Sequence, residues 1–211
     1  MKKKITDLKI QKNNRQRVSV FLDGQYAFSL SLSATVDLKK NSTIETVRID
    51  QLLREDELSS AYNCAVRHLT HRPRSINETR TFLSGKGYGA DAVEKTIDRL
   101  TTQNYLDDNT YARLWIENRM RWRPRSAFAL GFELRKKGIA HGIIEHLLMD
   151  FDDDNAACEA IKGHRRQWQN LEKSQFKLKL FNFLKNRGFC YDTCRNTFQR
   201  AWMEKDEQLE K

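Results

Sequence analysis

Apolar residues alternate with polar ones in the first fifth of the chain and then change to a helical spacing. Ile5 to Gln11, Arg17 to Leu22 and Tyr26 to Leu32 carry the two-residue alternation of half-buried strands. Asp23-Gly24 lies between the last two, and both residues tolerate the positive φ that a two-residue hairpin turn requires. The pattern predicts a small antiparallel sheet followed by a short helix near Ser33 to Lys40. From about residue 50 onward, apolar positions recur every three or four residues, the period of one helix face.

Within the helical part the pattern repeats itself. Residues 61–100 shifted by 51 register on the next stretch without a gap. Ala61, Ala65 and Leu69 fall on Ala112, Ile116 and Met120; Arg72-Pro73-Arg74-Ser75 falls on Arg123-Pro124-Arg125-Ser126. Lys86-Gly87-Tyr88 falls on Lys137-Gly138-Ile139, and Val93 and Ile97 fall on Ile144 and Leu148. A third, looser copy follows at a shift of 50, carried by Leu184, Arg187-Gly188-Phe189, Cys194 and Phe198, with a longer connection around Gln169 to Gln175.

Each marker has a physical job. Pro73 and Pro124 end the first helix of their units, because proline lacks an amide donor and disfavours helical geometry in the residue before it. Ser75 with Glu78 is a capping box opening the second helix, whereas Ser126 faces Ala129 and keeps half of that box. Gly87, Gly138 and Gly188 stand where a left-handed cap closes the second helix. The residue after each is expected to pack on a leucine of the preceding turn: Tyr88 on Leu83, Ile139 on Leu134, Phe189 on Leu184. Third helices are predicted over about Asp91 to Gln103, Ile143 to Phe151 and Tyr191 to Lys205.

The fold class expected is therefore mainly α: three tandem three-helix repeats forming an elongated curved body, with a small N-terminal antiparallel β extension. The expected division is a β-rich extension over residues 1–49 and repeats over 50–108, 109–152 and 153–205.

Composition agrees and adds charge. The 211 residues hold only two prolines and nine glycines, 31% are charged, and the formal net charge is +10. Such a molecule is drawn to polyanions. Asp7 and Lys9 interrupt what would be the apolar part of a signal peptide, and no stretch has the length of a membrane span, so a cytoplasmic protein is expected. Four cysteines then read as reduced, packed thiols. Without a C-x-x-C pair or a nearby histidine pair no metal site is expected, and without a phosphate-binding glycine loop no nucleotide cofactor is expected. Asp107-Asp108 and Asp152-Asp153-Asp154 are expected to start helices, where free amides and the dipole favour negative charge. Nothing in the pattern calls for a catalytic residue.

The strongest functional signal is Arg119-Met120-Arg121-Trp122-Arg123-Pro124-Arg125, four arginines and a tryptophan at a helix end and the turn after it. Arginine clamps carboxylates or phosphates through two parallel donors, and an exposed tryptophan can stack on a base or anchor in a protein pocket. Basic residues also mark Arg67 to Arg74, Arg135-Lys136-Lys137, His164-Arg165-Arg166 and Lys173 to Lys185. Equivalent turns are expected to line one side of the body. Any single basic residue near a helix C-terminus is also adequately explained by the dipole and solvent. Tyr111 and Trp115 share the face of Ala112 and Ile116 and are expected in the core; Trp122 is open to either role.

Taken in order, Arg72-Pro73-Arg74-Ser75, Lys86-Gly87-Tyr88, Tyr105-Leu106-Asp107-Asp108 with Tyr111-Ala112, Lys137-Gly138-Ile139 and Arg187-Gly188-Phe189 resemble the RecX family of bacterial recombination regulators over residues 61–203. The sheet region resembles the extension of longer members. Gly131 inside a helix and the divergent third unit depart from the pattern. The resemblance implies a non-enzymatic, cofactor-free monomer that binds along the groove of the RecA–DNA filament and lowers ATP hydrolysis, strand exchange and filament growth. Matched positions imply contacts at Arg72, Arg74, Arg121, Trp122, Arg123, Arg125, Lys136, Lys137, Arg165 and Arg166, with single- or double-stranded DNA as a further partner. The alternative is a general basic DNA-binding protein that acts by occupying DNA.

Overall fold

The computed structural model describes the backbone of residues 1–209 and the side chains of residues 1–205, which fall into two compact units. The first comprises Met1–Pro73 with Thr79–Leu106, and the second Arg74–Glu78 with Asp107–Lys211.

The first unit opens with strands β1 (Lys2–Ile10), β2 (Arg17–Leu22), β3 (Gln25–Ser31) and β4 (Thr43–Glu45), all antiparallel in the order β3-β2-β1-β4. Asp23 and Gly24 take φ of +50° and +87°, giving the expected two-residue hairpin turn. Val18, Val20 and Leu22 point alternately inward, and the inner face buries Ile5, Val20, Leu22, Leu30 and Ile44 against Ile49 and Leu52 of α1 (Thr46–Leu69). Asp56 on α1 is buried with its charge matched: its carboxylate accepts from Ser31 N at 2.7 Å and from the Arg17 guanidinium at 3.2 Å. Buried ions need such partners, and these lock the sheet's β3 edge to the helix. The second half of α1 buries Ala61 and Ala65 and packs on α3 (Ala90–Thr102), which buries Val93, Ile97 and Leu100. Gly89 offers no capping side chain to α3, and Glu57 accepts its N–H at 2.7 Å instead.

Two local expectations change. Only Ser33–Thr35 forms a single 3-10 turn in place of a helix to Lys40, because Val36 faces solvent and Thr35 Oγ1 donates back to Leu32 O. The fourth strand is additional: it pairs with Lys2 to Lys4, so strand geometry there comes from tertiary pairing rather than from three lysines.

Helix α2 (Ile76–Gly85) follows Pro73, and its first turn belongs to the second unit. That unit continues with α4 (Asp108–Trp122), α5 (Ala127–Lys136), α6 (His141–Leu148), α7 (Asp153–Lys162), α8 (Arg165–Trp168), α9 (Lys173–Lys185) and α10 (Tyr191–Leu209), for ten helices among the described residues. Tyr111, Ala112, Leu134, Ile139 and Ile144 form the core of α4 to α6. A larger core, rich in aromatic rings, joins α7 to α10 around Trp168, Phe176, Leu180, Leu184 and Phe198. The longer connection has a purpose here: α8 carries Trp168 into that core, edge-on to Phe176 and Phe183.

All three glycine caps form. Gly87, Gly138 and Gly188 have φ of +88°, +79° and +89°. The following amides of Tyr88, Ile139 and Phe189 donate to Leu83, Leu134 and Leu184 carbonyls, the bond that defines a Schellman cap.

Two stereotyped junctions tie each second helix to the set that follows. Ser75 Oγ accepts from Glu78 N at 3.1 Å and donates to Lys137 O at 2.6 Å; Ser126 Oγ accepts from Ala129 N at 3.2 Å and donates to Gly188 O at 2.7 Å. Both serines are fully buried. Each next set also supplies an acid: Asp108 accepts from Ile76 N at 2.9 Å and Asp153 from Ala127 N at 2.7 Å. Asp107 and Asp152 do the capping expected of the acidic pairs, while Asp108 and Asp153 satisfy the first free amides of α2 and α5, the second helices of the preceding sets.

Burial, with Asp152 and Asp154 adding like charge, pushes the Asp153 carboxyl above its ordinary 3.8. The folded state therefore holds that proton more tightly than the unfolded chain. Its stabilising contribution is complete below 3.8 and is lost as pH rises through the folded value. Asp153→Asn keeps an oxygen for Ala127 N, and its urea midpoint is expected to gain on the parent's steadily as pH is raised through that window. A constant difference between the two would refute this.

Candidate partner-binding site

The turn between α4 and α5 is built to be rigid and to hold its charges outward. Pro124 is buried, and Arg123 before it leaves the helix at φ −154° while its N–H still reaches Arg119 O at 2.8 Å. Arg187 Nη1 donates to Pro124 O at 2.9 Å, and Ser126 N donates to Arg187 O at 3.2 Å. On this fixed frame Arg121, Trp122 and Arg123 are exposed, Trp122 to 76%, with the Arg121 guanidinium 5.2 Å from the indole centre. An indole this bare has little of its stabilising burial within the chain.

Neighbouring cations are committed elsewhere. Glu133 accepts from Trp115 Nε1 at 2.8 Å and Arg119 Nε at 2.7 Å, and Arg125 Nε lies 3.2 Å from its other oxygen. Arg119 also covers Trp115. Lys137 pairs with Glu78 at 2.9 Å and sits over Trp115, and Arg165 pairs with Glu204 on α10. Lys136 is exposed and lies 4.6 Å from the centre of the Phe132 ring; Arg166 is exposed on α8. Arg72 is exposed with Nη1 donating to Pro73 O at 3.1 Å, and Arg74 is half-buried with a buried Nε that makes no hydrogen bond.

The fold thus brings Arg123 and Arg125 together with Arg187, which the sequence marked only as part of a cap. Arg123 and Arg125, together with burial, hold the Arg187 guanidinium below its ordinary pKa, burial being the larger cause. A signal was present: position 187 corresponds to Lys137, whose acid partner Glu78 corresponds to Ala129. Among the described residues no group of three or more His, Cys, Asp or Glu side chains is placed to hold a metal ion, and no helix is long and apolar enough to cross a membrane. Cys64, Cys158, Cys190 and Cys194 are all free thiols.

Comparison with known proteins matches three stretches of the chain to domains of one family. Residues 3–45 match the regulatory protein RecX N-terminal domain, 61–100 the first RecX three-helix domain and 107–148 the second. The chain is similar to regulatory protein RecX of Clostridium perfringens (strain SM101), at 30% identity over 204 residues covering 93% of this chain and 95% of that one. It is 29% identical to RecX of Clostridium botulinum (strain Alaska E43) over 205 residues, 94% of this chain and 96% of the relative. A crystal structure of a regulatory protein RecX superposes with a TM-score of 0.65 at 22% identity, covering 92% of this chain and 98% of that one, so the fold is shared.

Proposed function

The chain belongs to the RecX family of regulatory proteins, and from that premise we propose that it binds the RecA–DNA filament and restrains it. Its family is one of regulators rather than enzymes. In this reading it acts as a cytoplasmic monomer without cofactor, lowering ATP hydrolysis, strand exchange and filament growth in homologous recombination. The observation that carries the reading is the exposed Arg121-Trp122-Arg123 turn. Among the described residues the nearby carboxylate Glu133 is taken by Arg119 and Arg125, so Arg121 and Arg123 remain in solvent. Arginine and tryptophan are the residue types whose burial dominates protein interfaces, each worth about 2 kcal/mol or more when central. Arg72, Arg74, Lys136, Lys137, Arg165 and Arg166 complete the proposed contact set, with Lys137 and Arg165 contributing through the stems of ion-paired side chains.

RecA ATPase on single-stranded DNA, titrated with this protein, tests the reading. Inhibition is expected at well below one chain per RecA subunit; no inhibition near one to one would overturn it. The net charge of +10 favours a second reading, occupation of bare DNA. That reading predicts that naked DNA competes away the inhibition and that binding falls steeply with salt, since each neutralised phosphate releases counterions.

A further inference from the structure

In the first unit a cleft of about 830 Å³ lies between the β3 end of the sheet and the second half of α1, a size usual for small-molecule sites. Asn14 and Gln16 before β2, with residues 31–33 at the end of β3, form one wall. Ser60, Asn63 and Arg67, spaced along one face of α1, form the other, with Tyr88 beside them. The first wall is held by its own bonds: Leu32 N donates to Gln16 O at 2.8 Å, Arg17 N to Asn14 O at 3.0 Å, and Asp56 joins Ser31 N to the Arg17 guanidinium. Charge sets this cleft apart. Its lining carries two arginines, Arg17 and Arg67, and no carboxylate. In another cleft, of about 650 Å³ between α1 and the start of α3, Arg54 and Lys95 meet Glu55, Glu57 and Asp91, so the charges offset one another. Buried Asp56 occupies only Nη2 of Arg17, which also serves Ser29 O; Nε and Nη1 have no partner among the described residues. Arg67 is exposed and makes no ion pair or side-chain hydrogen bond among them. Both guanidinium charges act on the Tyr88 phenol, yet burial and the adjoining Cys64 thiol outweigh them and push it up, so it keeps its proton and remains a donor.

We propose that this cleft binds a small hydroxylated organic phosphate, of the sugar or polyol phosphate class, with its phosphate between Arg17 and Arg67 and its hydroxyls on the neutral side chains. A terminal phosphate offers three strong acceptor oxygens, which matches two guanidinia and one phenol, and charge-assisted hydrogen bonds are the strong ones. The neutral lining accounts for the rest of the ligand. Asn14, Gln16, Ser60 and Asn63 supply both donors and acceptors, and a hydroxyl both gives and takes a hydrogen bond. Among the lining side chains only Leu32, Val66 and the Tyr88 ring are apolar, too little surface to hold a lipid tail. An extended polyanion would meet no further cation along the lining once it had passed the two arginines. No residue of the turn between α4 and α5 takes part, so the site goes beyond the filament reading and does not depend on it.

The test is titration calorimetry of the whole chain with ribose 5-phosphate and glycerol 3-phosphate. At least one of the two is expected to bind at one per chain with a Kd below about 0.5 mM, and about tenfold or more tighter than inorganic phosphate or glutarate. Unphosphorylated ribose is expected to give no binding. Arg67→Gln is expected to weaken the bound ester at least about tenfold, since it removes a charged donor. Asn63→Ala is expected to weaken the ester about threefold and to leave inorganic phosphate unchanged. Arg54→Gln removes the same charge from the other cleft and is expected to change affinity less than about twofold. Arg67 is exposed, so its variant is expected to melt within about 2 °C of the parent. If it melts lower, Arg67→Lys keeps the charge without the fork and is expected to bind between parent and Arg67→Gln. Failure of both esters to bind below about 0.5 mM, glutarate binding as tightly, or equal losses from Arg54→Gln and Arg67→Gln would each overturn the proposal. Displacement of the ester by oligodeoxythymidine or by polyglutamate would make the cleft a macromolecular contact and would overturn it as well. RecA is absent throughout, so failure here leaves the filament reading untouched, and a chain that never inhibits RecA leaves this site untouched.

Discussion

Gly188→Ala is expected to destabilise the chain by about 3 kcal/mol, and Gly87→Ala by only about 1 kcal/mol, although both sit at the same cap position with nearly the same backbone. Their φ values are +89° and +88°, so the left-handed strain that a side chain would suffer is common to both. The difference lies in what a Cβ would meet. At Gly87 nothing lies within 4 Å, whereas at Gly188 the new carbon would stand 2.7 Å from Ala129 Cβ and 2.7 Å from Ser126 Oγ. That hydroxyl is the buried pivot of the second junction, and any shift that relieves the overlap breaks its bonds to Ala129 N or Gly188 O. Gly138, whose Cβ would fall 2.3 Å from Asn77 Cβ, is expected to behave like Gly188. Urea denaturation of the three alanine variants checks this; equal losses would show that strain alone matters and that the junctions are not tightly packed.

The second large effect concerns binding. Arg121→Glu with Arg123→Glu is expected to weaken RecA inhibition at least about 30-fold, since two central interface cations are replaced by charges of the opposite sign. The melting temperature is expected to stay within about 2 °C of the parent, because both side chains are exposed and surface changes cost little. The contrast lies two residues on either side. Arg119→Gln leaves Glu133, whose side chain is only 15% exposed, short of a partner and is expected to lose stability before it loses binding. A binding surface defined by net charge alone would not distinguish these positions.

The elements that sequence predicts well here are those whose cause is local. Proline at 124, the Ser75–Glu78 box and glycine at 87, 138 and 188 act within one turn of themselves, and each appears in the structure in that role, whereas α1 already ends at Leu69, four positions before Pro73. The β2–β3 hairpin is likewise legible from Asp23-Gly24. Features decided by distant partners are not. β4 is three residues long and becomes a strand only by pairing with Lys2 to Lys4. The acids at 108 and 153 read as helix starters, yet their carboxylates serve the amides of Ile76 and Ala127, 32 and 26 positions earlier. Among the basic residues, periodicity places Arg121 through Arg125 on one turn but cannot show that Glu133 takes Arg125 while Arg123 goes free. Arg187 gains its place beside that turn only when the second junction forms, across more than 60 positions of chain.

The central claim is that the Arg121-Trp122-Arg123 turn seats this protein on the RecA filament. Co-sedimentation with RecA assembled on single-stranded DNA, with RecA in excess so that no bare DNA remains, tests it most directly. The parent chain is expected in the pellet with the filament, and the Arg121→Glu, Arg123→Glu variant in the supernatant at equal concentration. Equal recovery of both in the pellet would contradict the account.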